Sequence, residues 1–327
     1  MNKIKIIVLE LFTLTTFLVA AEQKIVLQKY PLPSGTTIAQ TFQDILVENI
    51  NFKNVDTNLN LKGIIYKGKN FDNSKKYPTI IVTGPMLSVK EHSQTIYAKK
   101  LAELGYVTMV FDYTYFGESD GQPRYLEDPD MKASDIKSAV TYLSDLNYVD
   151  KNKLIAIGIC GSGGYVPHAA INDIRIKSVV SIVPFTVQDK WLQVPLDEAI
   201  KDRENYEKTR NPQYISLMDS NAEGASYYYN KDRGYRENWS NLTVTWSEET
   251  WQKHHPTQEI NKLKVPYLVI TSENAFTREQ AQELYDNATT KKELYVVKRA
   301  SHFDMYDLDP YVSENIKVID RFLKNNI

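Results

Sequence analysis

Along residues 47–185, and again along 263–327, short unbroken apolar runs alternate with longer stretches whose apolar residues recur every three or four positions. The first pattern is that of buried strands and the second that of amphipathic helices. Residues 48–52 and 59–66 read as an antiparallel pair, and 77–83 as a buried strand ending at Gly84-Pro85. A helix over 93–104 turns Ile96, Ala98, Leu101 and Leu104 inward and is capped by Gly105. A strand at 106–111, a helix at 132–146, a strand at 153–158, a helix at 161–171 and a strand at 177–183 follow. Strands at 265–271 and 293–298 and helices at 277–288 and 311–324 complete the series. This alternation predicts an α/β fold, a mainly parallel, doubly wound sheet with helices on both faces.

Residues 186–262 break the rhythm. No strand–helix unit of the series fits there, and the stretch holds all four tryptophans (Trp191, Trp239, Trp246, Trp251) beside Tyr227-Tyr228-Tyr229. An interruption of this length reads as an inserted helical lid with its own structure. It leaves 22–185 and 263–327 as the core. Aromatic residues in a lid suggest an apolar wall over a pocket, with Trp239 and Trp246 as substrate-binding candidates.

The chain opens with Met1-Asn2-Lys3-Ile4-Lys5, continues mostly apolar over 6–19, and offers Val19-Ala20-Ala21 as small residues for cleavage. Residues 1–21 therefore read as a signal peptide, and the mature protein as periplasmic or secreted. The apolar run is short for a membrane span, so no stable membrane anchor is expected. Lys+Arg 39 against Asp+Glu 41 leaves a net charge of -2, which offers no basic field for nucleic acid. The sequence carries no HExxH, P-loop or GxGxxG opening a first βαβ unit, so neither metal nor cofactor is expected. The single cysteine excludes an intrachain disulfide.

That cysteine sits in Gly158-Ile159-Cys160-Gly161-Ser162-Gly163-Gly164, behind the apolar run Leu154-Ile155-Ala156-Ile157. A strand entering a tight glycine-rich turn, with glycine two positions before a nucleophilic side chain and a small residue two after, is a nucleophile elbow. Two other readings compete: Ser162 as nucleophile of a shifted elbow, and Cys160 as an inert buried thiol. A cysteine nucleophile needs a base and an acid to orient it, in the chain order nucleophile, acid, histidine. His302, in the loop after the last strand, is the base. Glu273 is the carboxylate at the end of the 265–271 strand and the favoured acid, with Asp189 as the alternative. The amides of Gly161 and Met86 are expected to hold the oxyanion, with Leu87 next, because Pro85 has no N–H. The helix start at Gly161 should favour thiolate at Cys160. Asp112 and the turn Phe116-Gly117-Glu118-Ser119 read as a brace beneath the elbow. Lys90-Glu91 reads either as pocket-facing or as an exposed helix start. His254-His255 reads as a surface pair in the lid.

Several segments together resemble the dienelactone-hydrolase-like branch of the α/β-hydrolase superfamily. They are Gly84-Pro85 with Lys90-Glu91, Leu101-Ala102-Glu103-Leu104-Gly105-Tyr106 running into Phe111-Asp112, Phe116-Gly117-Glu118-Ser119, the cysteine elbow, and Ala300-Ser301-His302-Phe303-Asp304-Met305-Tyr306-Asp307. The resemblance spans about residues 50 to 325. It implies the α/β-hydrolase fold and a triad of Cys160, His302 and Glu273, although Ala275 stands where many relatives carry an aspartate. The expected function is an exported, cofactor-independent hydrolase that cleaves a small ester, lactone or thioester through an acyl-cysteine intermediate. An acyl-peptide-type peptidase and a non-catalytic binding protein on the same fold are the alternatives.

Overall fold

The computed structural model describes residues 30–41, 44–186, 194–218 and 223–327. The segment 1–21, Asp189 and Trp191 lie outside the described residues. Eight strands form the main sheet: β1 (Ile45–Lys53), β2 (Asn60–Gly68), β3 (Tyr77–Thr83), β4 (Val107–Phe111), β5 (Val149–Ile159), β6 (Ile176–Ile182), β7 (Tyr267–Asn274) and β8 (Lys292–Ser301). Their spatial order is β8-β7-β6-β5-β3-β4-β2-β1. The β1–β2 and β2–β4 pairs are antiparallel, and the remaining five pairings are parallel.

Neighbouring residues on a central strand feed opposite cores. Ile80 and Val82 face one apolar cluster and Ile81 the other; Ile155, Ile157 and Ile159 alternate in the same way with Leu154 and Ala156. The first face is covered by α1 (Ser93–Glu103) and a C-terminal helix (Tyr311–Asn326), the second by α2 (Pro129–Ser144), α3 (Ser162–Ile171) and a helix over Arg278–Asn287. Burial on both faces is why these strands are unbroken apolar runs in the sequence.

Two helices differ from their expected registers. α1 buries Tyr97, Ala98, Leu101 and Ala102, whereas Leu104 is 49% exposed and Ile96 only partly covered. The helix ends at Glu103, and Gly105 in the left-handed region (φ +95°) turns the chain so that Leu104 points to solvent. Tyr97 tolerates full burial because its hydroxyl donates to the Met305 carbonyl at 2.6 Å. α2 starts at Pro129, before the expected residue 132, because Asp128 caps it, accepting from the Asp130 and Met131 amides.

The insertion carries a helix (Leu196–Thr209), a two-stranded ribbon of Tyr214–Ser216 with Leu242–Val244, and short turns at Ala225–Tyr228, Ser247–Trp251 and Pro256–Glu259. Arg233 clamps it to the core, donating twice to Asp307 at 3.1 and 2.6 Å and once to the Phe303 carbonyl at 2.9 Å. No helix among the described residues is long and apolar enough to cross a membrane.

Candidate active site

Cys160 stands at the sharp joint between β5 and α3. Its φ is +57°, a left-handed value that a non-glycine residue adopts only under constraint. The constraint comes from the backbone: the Cys160 amide donates to the Ile182 carbonyl, and the Cys160 carbonyl accepts from the Gly163 and Phe185 amides, all at 2.8–2.9 Å. The flanking glycines leave no alternative. A Cβ on Gly158 would enter the Ser162 backbone, one on Gly161 would strike the Met86 side chain, and one on Gly163 would strike Pro184. Ser162 belongs to this scaffold and not to the pocket. Its hydroxyl is fully buried, donates to the Gly84 carbonyl and lies 2.9 Å from the Tyr113 hydroxyl.

The Cys160 sulfur faces a cavity of about 270 Å³. The Gly161 and Met86 amides lie close enough to pull the thiol's proton affinity down, so the two predicted oxyanion donors stand beside the sulfur. Met86 is held in place by its neighbour. The Leu87 amide donates to the buried Glu127 carboxylate at 3.1 Å, with Leu87 itself at φ +56°. Glu127 in turn accepts from Lys132 and the Tyr165 hydroxyl, both at 2.5 Å. Lys132 is sandwiched by the rings of Tyr113, Phe116 and Tyr165, which makes this buried ion pair a fixed post beneath the oxyanion loop. A comparable pair, Lys90–Asp112 at 2.8 Å, anchors the next residues of that loop; Lys90 also meets Glu118 and Glu91 and does not face the pocket.

His302 is fully buried beside the cavity. Its Nδ1 lies 3.0 Å from the Thr277 hydroxyl and its Nε2 3.0 Å from the Tyr306 hydroxyl. The Phe276 ring covers the imidazole at 4.4 Å. The structure does not bring Glu273 to His302. The Glu273 carboxylate is exposed and accepts from the Arg299 amide at 3.0 Å, and the Nδ1 position expected for an acid belongs to Thr277. Nor does His302 meet the sulfur directly: its Nε2 faces the Tyr306 hydroxyl, and Tyr306 in turn neighbours the Cys160 thiol along the cavity wall.

Burial dominates the protonation of the pair. It pushes the Cys160 thiol up to about 11, against the opposing pull of Tyr306 and the Gly161 and Met86 amides. It pushes His302 down to about 3. The expected thiolate is therefore absent at rest, because desolvation outweighs the helix terminus, and both groups stand neutral.

The cavity wall also differs from expectation. It comprises Pro85, Met86 and Leu87 below, and Phe185, Leu217, Met218, Tyr228, Phe276, Phe303 and Tyr306 around and above. Trp239 is not part of it: it stacks behind Tyr228 at 4.7 Å. Trp246 lies farther off, in a small separate core with Leu126, Ala199 and Val244. His254, expected at the surface, is buried against Tyr165 and His168 and pushed down to about 3 by that burial. Thr277, Tyr228 and Tyr306 escaped the sequence reading. The signal for Tyr306 was its place four residues after His302 in a turn, which stacks the two side chains on one face.

No family model matches the chain. Among proteins of known sequence it is 32% identical to the uncharacterised protein PA2218 of Pseudomonas aeruginosa over 255 residues, 71% of this chain and 69% of that one. The chain belongs to the family of PA2218. The crystal structure of PA2218 superposes with a TM-score of 0.79 at 28% identity, covering 88% of this chain and 96% of that one. The uncharacterised protein YcjY of Escherichia coli is 29% identical over 293 residues, 82% of this chain and 95% of its own. A protein named thiohydrolase from Eupenicillium brefeldianum is 24% identical over 276 residues, 79% of this chain and 88% of its own. The α/β hydrolase GrgF from Penicillium sp. sh18 has a TM-score of 0.72 at 20% identity, covering 86% of this chain and 99% of that one. The fold is that of the α/β hydrolases.

Proposed function

We propose that this protein is a hydrolase of the dienelactone-hydrolase-like type, with Cys160 as nucleophile and a thioester of an apolar acyl group as its best-fitting substrate. The observation that carries the reading is the convergence of the Gly161 and Met86 amides on a strained elbow cysteine that opens into an apolar cavity. In the reaction the thiol proton passes to His302 and the sulfur attacks the acyl carbon. The carbonyl electron pair moves to oxygen, where the two amides receive it. Collapse expels the leaving group, which takes the proton from His302, and water attacks the acyl-cysteine by the same steps in reverse.

Two features favour a thioester over an alkyl ester or an amide. Among the described residues His302 has a hydroxyl and no carboxylate on Nδ1, so no ion pair there stabilises an imidazolium. A tetrahedral intermediate on cysteine expels the better leaving group, and an alkoxide or amine departs only if protonated, whereas a thiolate leaves unaided. The relative named thiohydrolase supports the same choice. Among the described residues the cavity wall supplies no charged side chain, which suits an uncharged acyl group.

A panel of thioesters, oxygen esters, lactones and peptides with matched acyl groups tests this. Cys160→Ala is expected to lower turnover of the preferred class by at least about a thousandfold with a wild-type thermal melt. Turnover retained in that variant would falsify the cysteine mechanism.

A further inference from the structure

The Tyr306 hydroxyl stands between the two groups that must exchange a proton. Its oxygen is 3.0 Å from His302 Nε2, and Tyr306 shares the wall of one cavity with Cys160, each side chain shifting the other's proton affinity. A third neighbour is the Tyr228 hydroxyl. A phenol donates once and accepts twice, so these three partners saturate it. The oxygen is also held still. Its turn, Asp304–Asp307, is gripped by Tyr97 through the Met305 carbonyl at 2.6 Å and by Arg233 through Asp307, and its ring meets Tyr227 edge-on at 5.0 Å.

We propose that Tyr306 is a catalytic residue that relays the proton between Cys160 and His302, which makes the working unit Cys160–Tyr306–His302–Thr277. The proposal rests on the cysteine-nucleophile reading above. At rest the thiol S–H and the Tyr228 O–H donate to the Tyr306 oxygen, the Tyr306 O–H donates to Nε2, and Nδ1–H donates to the Thr277 hydroxyl. On attack the S–H bond breaks and its proton bonds to the Tyr306 oxygen. The proton that Tyr306 carried bonds to Nε2. The sulfur keeps the electron pair and attacks the acyl carbon. Tyr306 emerges neutral, its new O–H directed at sulfur, and Nε2–H now donates to its oxygen. The sulfur, the Tyr306 oxygen and both imidazole nitrogens each have a partner before and after, and no heavy atom of the relay moves. Burial, which holds the tyrosine far above its ordinary value, keeps it from being stranded as a phenolate. The Thr277 oxygen accepts from Nδ1 throughout, which fixes the tautomer without a carboxylate.

Tyr306→Phe removes one oxygen and leaves the ring packing. It is expected to lower kcat/KM on a thioester by about 10²–10⁴-fold through kcat, with KM little changed. Alkylation of Cys160 by iodoacetamide near neutral pH should slow by at least about tenfold, since the base is cut off. Tyr228→Phe leaves the chain from sulfur to Nε2 intact and should cost less than about tenfold. In mixed water and deuterium oxide, the wild-type rate should give a curved proton inventory, the mark of two protons in flight. If the phenylalanine variant does not fold, that inventory decides: curvature supports the relay and a straight line overturns it. A folded Tyr306→Phe variant with alkylation and turnover within about twofold of wild type, beside a dead Cys160→Ala, overturns the relay alone. Full activity in Cys160→Ala overturns the nucleophile reading and the relay with it.

Discussion

Thr277 occupies the place where a hydrolase is expected to keep its acid, and the substitution test at this position is direct. Thr277→Val leaves His302 Nδ1–H buried without a partner, a loss of about 1–3 kcal/mol and therefore about 5- to 150-fold in kcat/KM. Glu273→Gln should stay within about twofold, because the Glu273 carboxylate is bound to a surface amide and not to the imidazole. The reverse ranking, measured by steady-state kinetics on one thioester, would restore Glu273 as the acid. The contrast also marks what could be read from the chain. Cys160 was legible because the elbow is encoded locally, by glycines that the turn geometry requires. The partner of His302 was not. It depends on which side chain of the loop after β7 reaches Nδ1, and the left-handed backbone at Arg299 (φ +65°) presents its amide to Glu273 instead. Tyr306 was in view in the sequence, and its place four residues after His302 put it beside the imidazole, but nothing local put it beside the cysteine.

At the scale of elements, the central strands were readable because burial on both faces makes them continuous apolar runs, as in Ile80-Ile81-Val82, whereas strand ends such as Val149 and Ser301 run beyond those apolar runs and were missed. Helix faces were harder. α1 buries Tyr97 and exposes Leu104, an inversion that turns on one hydrogen bond to Met305 and one positive-φ glycine. The insertion was visible as an interruption, yet composition did not say which of its aromatics meet the pocket. Among the described residues its contribution to the cavity is Leu217, Met218 and Tyr228, while Trp246 fills a core of its own. Trp246→Ala should therefore cost about 3–5 kcal/mol of stability and leave the ranking of acyl chain lengths unchanged. Met218→Ala should shift that ranking toward longer chains, with a smaller change in melting temperature. The same set of thioesters, run on both variants beside a thermal melt, separates the two roles. A shift of preference in the tryptophan variant and none in the methionine variant would place the wall elsewhere.

The molecule as a whole is rich in tyrosine, with 22 in the chain, and the structure turns that composition into a pH response. Tyr97, Tyr113, Tyr165, Tyr227, Tyr267 and Tyr306 are all buried, and in each burial raises the phenol above its ordinary value near 10. In the unfolded chain they ionise near pH 10; in the folded protein they hold their protons well beyond it. The folded state thus binds more protons above that point. The stability these groups contribute is fully present below about pH 10 and is lost as pH rises through their folded values. Lys132, whose ammonium burial pushes down, acts in the opposite direction, but it is one group against many of the same sign. The melting temperature should consequently fall by more than about 5 °C between about pH 9 and about pH 11. Most of the tyrosinate absorbance should appear together with the loss of ellipticity, not before it. A smooth, early tyrosinate titration at constant melting temperature would mean that these hydroxyls reach water in the native state. In that event the dry environment on which the neutral Cys160–Tyr306–His302 chain depends would be gone as well.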